Sequence, residues 1–143
     1  MKARTVVGII VGFFSWWVVF FVSLVLIALL WPAFGNAGKS VQVSGDYSAL
    51  TTGMLVLLLG AYVYINGIAG WVTVKISGRK AAIWIACAPT AVYAVYEHLH
   101  VLWHVLPAWY NVGVVGFIYP FSFLGGSLAS RRPGMPAEPA TPG

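Results

Sequence analysis

The chain has 143 residues, of which 60% are hydrophobic and only 8% are charged. Soluble domains usually carry about 25% charged residues, so this composition excludes an ordinary soluble fold and indicates an integral membrane protein. The net charge is +5, but the basic residues flank apolar segments and form no stripe with stacking aromatic residues. This arrangement excludes a nucleic-acid-binding protein.

Four segments are long enough to cross a bilayer, which takes roughly 20 apolar residues. They are Val6 to Trp31, Leu50 to Val74, Ala81 to Trp103 and Trp109 to Ala129. We therefore predict an all-α fold, a four-transmembrane-helix bundle over residues 1–130. The first segment is longer than the apolar core of a signal peptide and no Ala-x-Ala site follows it, so we interpret it as a retained helix. Residues 131–143, RRPGMPAEPATPG, lack periodicity and are predicted to be a disordered cytoplasmic tail.

The basic residues predict the orientation of these helices. Seven of the eight lie before the first segment, between the second and third, or after the fourth: Lys2, Arg4, Lys75, Arg79, Lys80, Arg131 and Arg132. Short cytoplasmic connections are enriched in Lys and Arg. Both termini are therefore predicted to be cytoplasmic, and the loop that carries Lys39 is predicted to lie outside.

Two further patterns concern the architecture. WPAFGNAG at 31–38 resembles LPAWYNVG at 106–113, and Gly60 to Lys75 aligns with Gly116 to Arg131, which suggests a tandem repeat of two helical hairpins. Small residues also recur at helical spacing. The pairs Gly8 and Gly12, Asn66 and Gly70, and Ser122 and Gly126 are predicted to let neighbouring helices approach closely. Ala82, Ala86, Thr90 and Ala94 form a similar stripe, so we predict that the third helix is the central one.

The segment YEHLHVLWH, at 96–104, concentrates ionisable side chains in an apolar chain. On an α-helix Glu97, His100 and His104 share one face, which is predicted to continue the small-residue face into the bundle, whereas His98 points elsewhere. Ionisable residues at membrane depth are functional candidates.

Three hypotheses remain open for this cluster. The side chains face water or headgroups and form hydrogen bonds; or His100 and His104, with Glu97 as a weaker third ligand, hold a metal ion or a haem; or the cluster handles protons or acts in acid-base catalysis. Ser40, Ser44 and Ser48 lie on the same predicted side, but no catalytic motif surrounds them.

Three motifs carry a family resemblance: GWVTVKISGRKA at 70–81, LPAWYNVG at 106–113 and PFSFLGGSLASR at 120–131. They resemble uncharacterised small four-helix proteins of the bacterial inner membrane. The resemblance implies that location and a four-pass topology, and it brings no activity with it.

The functional prediction is a non-catalytic structural or accessory subunit in the lipid bilayer, part of a homo-oligomer or a larger membrane complex. The alternatives are a redox-linked protein that binds a metal or haem at the histidine cluster, and a small transporter or proton-coupled carrier.

Overall fold

The computed structural model describes residues 2–130, and this part of the chain is all-α. Its helices are α1 (Ala3–Leu30), α2 (Pro32–Ser44), α3 (Thr52–Ser77), α4 (Ala82–Tyr96) and α5 (Ala108–Ser130), with a 3-10 turn at Tyr47–Ala49 and a π-helical turn at Glu97–Val101. Within the described residues α1, α3 and α5 are long and apolar enough to span a membrane. The all-α prediction and the membrane prediction are thus confirmed, and the predicted tail at 131–143 lies outside the described residues.

Helix α3 occupies the centre of the bundle. It packs extensively against α1 on one side and against α5 on the other, while α4 closes the gap between α1 and α5. The prediction that the third segment is central was therefore wrong. Its stripe of small residues is buried, as expected, but α3 has small or polar side chains on two faces, so two helices can approach it.

Glycines set the contact between α1 and α3. A Cβ atom on Gly8 would lie 2.7 Å from the Cβ of Ser77, and one on Gly12 would collide with the hydroxyl of Thr73. The predicted role of this glycine pair is confirmed, because α1 can lie this close to α3 only where side chains are missing.

Glycines also set the contact between α3 and α5, which run in the same direction. A Cβ on Gly70 would collide with the carbonyl oxygen of Ser122, and one on Gly125 would collide with that of Gly67. Backbones therefore touch at this crossing. Gly126, which was predicted together with Ser122 as a place of close helix approach, packs against Val74 and Ile83 of the neighbouring helices.

Helix α2 was not predicted, since its residues were assigned to a loop. Helix α1 ends at Leu30 because the residue before a proline is forced out of the α region, and Pro32 then starts α2 at a position that prolines favour. Gly45, with φ 67°, ends it in the left-handed conformation. Phe34 and Ala37 are buried against α1 and α3, so α2 lies across one end of the bundle.

The opposite end carries most of the charge. We call it the basic end, and the other the α2 end. Arg4 joins two helices there, because its Nε donates to the carbonyl of Ile76 at 2.5 Å and its Nη2 donates to that of Lys75 at 3.4 Å. A cation at the carboxyl end of α3 is also favoured by the helix dipole.

Candidate functional site: the π-helical turn and the cavity beside it

The histidine segment forms a π-helical turn. The N–H of Leu102 donates to the carbonyl of Glu97 at 2.8 Å, five residues back along the chain. Because this turn is wider than an α-helical turn, the four-residue spacing of the buried stripe on α4 continues into it. The stripe runs on to His98 and Leu102, which are both buried.

His98 is held by Asn111 on α5. Its Nδ1 lies 3.0 Å from the Oδ1 of Asn111. The Nδ2 of Asn111 donates to the carbonyls of Leu102 at 3.2 Å and Leu106 at 3.1 Å, so Oδ1 faces the imidazole and Nδ1 carries the proton. The ring of His98 also contacts that of Tyr110, with 5.7 Å between centroids. This network connects the π-helical turn, the loop after it and α5.

The structure does not place Glu97, His100 and His104 together inside the bundle, where the sequence predicted them. Glu97 is half-buried, but both histidines are exposed, and His104 follows the helix in a turn. The expectation that this stripe enters the bundle was wrong, because the π-helical turn rotates His98 inward instead. Across residues 2–130 no three His, Cys, Asp or Glu side chains form a group that could hold a metal ion. Binding of a metal or haem by these residues stays an untested prediction.

The loop serines offer no activated nucleophile. The Ser40 hydroxyl donates to the carbonyl of Asn36 and that of Ser44 to the carbonyl of Ser40, each within α2. At Ser48 the side chain and the backbone N–H both hydrogen-bond to Asp46 and lower the pKa of that carboxyl. These contacts shape the loop and provide no oriented base.

A cavity of about 560 Å³ lies beside the π-helical turn, at the α2 end. Its wall is mostly aromatic and aliphatic and comes mainly from α1, α2, α3 and the π-helical turn. Two side chains of opposite charge, Glu97 and Lys39, also line it. The aromatic lining consists of Trp16, Trp17, Phe20, Phe21, Phe34, Tyr47, Tyr62, Tyr93 and Tyr110. An apolar volume with a few polar groups at its margin is typical of a ligand site.

A second concavity lies between α3 and α5 on the outer surface of the bundle. We call it the α3–α5 groove; its volume is about 370 Å³. Gly67 and Gly125 contribute small residues to its lining, and larger apolar side chains surround them. The larger residues are Val63, Tyr64, Ile68, Trp71, Phe121, Leu124 and Leu128.

Other polar side chains inside the bundle hold helices together. The Trp16 indole donates to the Oδ1 of Asn66 at 3.0 Å, and the Cys87 thiol lies 3.3 Å from the Ser122 hydroxyl. Among the residues that the structure describes, no buried side-chain nitrogen or oxygen lacks a hydrogen-bond partner. These contacts join helices, as interhelical hydrogen bonds commonly do in membranes.

Sequence reasoning missed Asn111 and the inward position of His98. A signal for His98 was present, because the four-residue stripe of Ala82, Ala86, Thr90 and Ala94 extends directly to it. Tyr110, next to Asn111 on α5, is also buried beside His98.

The fold therefore defines a helical membrane protein. No protein-family model, curated protein or solved structure matches the chain.

Proposed function

We propose that this protein is a four-span, non-catalytic subunit of the bacterial inner membrane that binds a transmembrane helix of another subunit in the α3–α5 groove. The resemblance to small bacterial inner-membrane proteins motivates the location, and the structural observations below support the remaining parts.

The fourth span is α4 together with the π-helical turn. These elements contain 15 and 5 residues, enough for roughly 30 Å of helix. Ile83 contacts Gly126 at the basic end, while His98 contacts Asn111 at the α2 end. The combined helix thus runs beside most of α5. This supports the proposal that it crosses the same thickness of membrane as α5 does.

The orientation follows from charge. Of the six basic residues between 2 and 130, Lys39 alone lies at the α2 end; Lys2, Arg4, Lys75, Arg79 and Lys80 lie at the basic end. We place the basic end in the cytoplasm, together with both ends of the chain.

A tandem repeat of two hairpins is part of this proposal. The parallel course of α3 and α5 supports it, as does the meeting of the aligned glycines, Gly70 and Gly126, at one crossing. The first hairpin then differs from the second by the insertion of α2.

The α3–α5 groove is the observation that carries the functional proposal. Lipid chains are as apolar as leucine, so membrane helices associate where small residues permit close packing. Gly67 provides such a place, because it is half-buried at the groove beside the buried Gly125, between exposed bulky side chains that would flank an incoming helix. A partner helix would gain close contact there, whereas the polar groups of the bundle interior are already engaged in hydrogen bonds.

A pair of matched substitutions tests this function. A Cβ on Gly67 would meet only the Phe121 carbonyl, at 4.0 Å, so the first carbon of Gly67→Leu fits the fold and the rest of the side chain occupies part of the groove. Gly60 lies on the same helix with open space around it, outside the groove, and Gly60→Leu is the control. Both variants should unfold thermally like the wild type.

The readout is the mass and subunit composition of the complex extracted in native lipid by a polymer. We expect Gly67→Leu to weaken association roughly tenfold, whereas Gly60→Leu does not. A second copy or a different protein in the complex decides between a homo-oligomer and a larger assembly. Monomers for all three proteins, or the same complex for all three, would contradict the proposal.

A further inference from the structure

The cavity at the α2 end has a composition that the proposed subunit role does not use. Its wall is aromatic and aliphatic over most of its extent, and it lies where α2 crosses the end of the bundle. Trp17 and Tyr93 approach each other in this wall, with 6.1 Å between ring centroids, and Trp16 contacts Tyr62 at 6.0 Å. Such a surface suits a hydrocarbon chain.

The two charges that line the cavity come from different elements. Glu97 is half-buried at the start of the π-helical turn, and Lys39 is exposed on α2. The chain contains only three acidic residues, so a carboxylate in an apolar wall is exceptional. An ionised group at this depth needs a partner of opposite charge or a route to water.

We propose that the cavity binds one zwitterionic phospholipid from the leaflet at the α2 end. Its acyl chain occupies the aromatic wall, its ammonium group pairs with Glu97, and its phosphate pairs with Lys39. The aromatic faces near Glu97 add attraction for the ammonium group. An anionic lipid without an amine would satisfy Lys39 but would leave Glu97 without its cation.

The assignment of the two charges gives separate predictions for the two head-group contacts. Purified protein is mixed in detergent micelles with phosphatidylethanolamine or phosphatidylglycerol of identical acyl chains, and bound lipid is counted by native mass spectrometry. The wild type should bind one phosphatidylethanolamine and prefer it over phosphatidylglycerol.

Substitutions then separate the contacts. Glu97→Gln should weaken the binding of phosphatidylethanolamine roughly tenfold, because one charge-assisted contact is lost, and it should leave the binding of phosphatidylglycerol unchanged. Lys39→Gln should weaken both lipids to a similar extent, since both contain the phosphate. Asp46→Asn removes the same charge as Glu97→Gln from a residue outside the cavity, and it should have no effect.

A blocking variant tests the location without disturbing the fold. Gly38 lines the cavity, and a Cβ atom added to it would meet nothing within 4 Å, so Gly38→Leu should place a branched side chain in the lipid's position and abolish the single bound lipid. Gly116→Leu, at an equally open site away from the cavity, should retain it. Equal binding of the two lipids by the wild type would overturn the proposal. Equal effects of Glu97→Gln and Asp46→Asn, or a lipid that survives Gly38→Leu, would do the same.

Discussion

The helices pack differently at the two ends of the bundle. Toward the basic end, Gly8, Gly12, Gly70 and Gly125 bring helix backbones into contact. Toward the α2 end, large aromatic side chains line a cavity between α1, α2, α3 and the π-helical turn. Small residues bring membrane helices together through dispersion contacts, whereas rings of irregular shape leave space that a ligand can fill.

The difference extends to the polar contacts. At the basic end, Arg4 donates to backbone carbonyls near the end of α3. At the α2 end, a buried side chain hydrogen-bonds to backbone carbonyls instead: Asn111 joins His98 to the loop that follows the π-helical turn. A helix with a π-helical turn and a loop has carbonyls that regular helices would satisfy internally, so it needs a side chain such as Asn111.

The largest expected effect is at the close-packed crossing of α3 and α5. Gly125→Ala places a Cβ against the Gly67 carbonyl, and α5 cannot shift freely because Gly70 also contacts it. We expect a loss of about 3 kcal/mol in the free energy of unfolding, measured in mixed detergent micelles. Gly116→Ala, on the same helix with open space around it, should be neutral or stabilising by up to about 1 kcal/mol. Equal stability of the two variants would contradict backbone contact at this crossing.

A smaller effect is expected at the α2 end. Asn111→Leu leaves His98 and the carbonyls of Leu102 and Leu106 without their hydrogen bonds. We expect a loss of about 2 kcal/mol in the free energy of unfolding and faster amide exchange at residues 102–106. An unchanged exchange rate in that loop would show that Asn111 does not hold it.

The double variant His100→Ala/His104→Ala is the control for Asn111→Leu and has the smallest expected effect. Both histidines are exposed, so stability should change by less than about 0.5 kcal/mol. Elemental analysis and an optical spectrum of the same pair of proteins test the predicted metal or haem ligands. A bound metal or haem that the variant loses would confirm the ligand prediction, and the absence of such a group from both proteins would contradict it.

Much of the fold was predictable because it depends on composition and spacing. The apolar runs predicted α1, α3 and α5 to within a few residues, and glycine spacing on α1 predicted the close approach of a neighbouring helix, which the structure shows to be α3. Each of these signals can be read within a single segment, because the length of an apolar run determines whether it spans a membrane and a glycine permits close packing of whichever helix lies beside it.

The site was less predictable because it depends on a change of helical geometry. The face of Glu97, His100 and His104 was calculated for an α-helix, and one π-helical turn brought His98 inward instead. Asn111 matters through its contacts with a loop 5 to 9 residues earlier in the chain, which spacing within one helix does not reveal. Helix α2 was missed because it is too short and too polar to be a span, although Pro32 marks its start.

The most direct test of the whole account is whether α4 crosses the membrane. Single cysteines replace Lys80 before α4 or His104 after the π-helical turn, both exposed, in a Cys87→Ala background. A membrane-impermeant maleimide is then added to intact and to permeabilised cells. Four spans predict labelling of the cysteine at 104 in intact cells and of the cysteine at 80 only after permeabilisation. Labelling of both from the same side would contradict the four-span bundle and the placement of the cavity outside the cytoplasm.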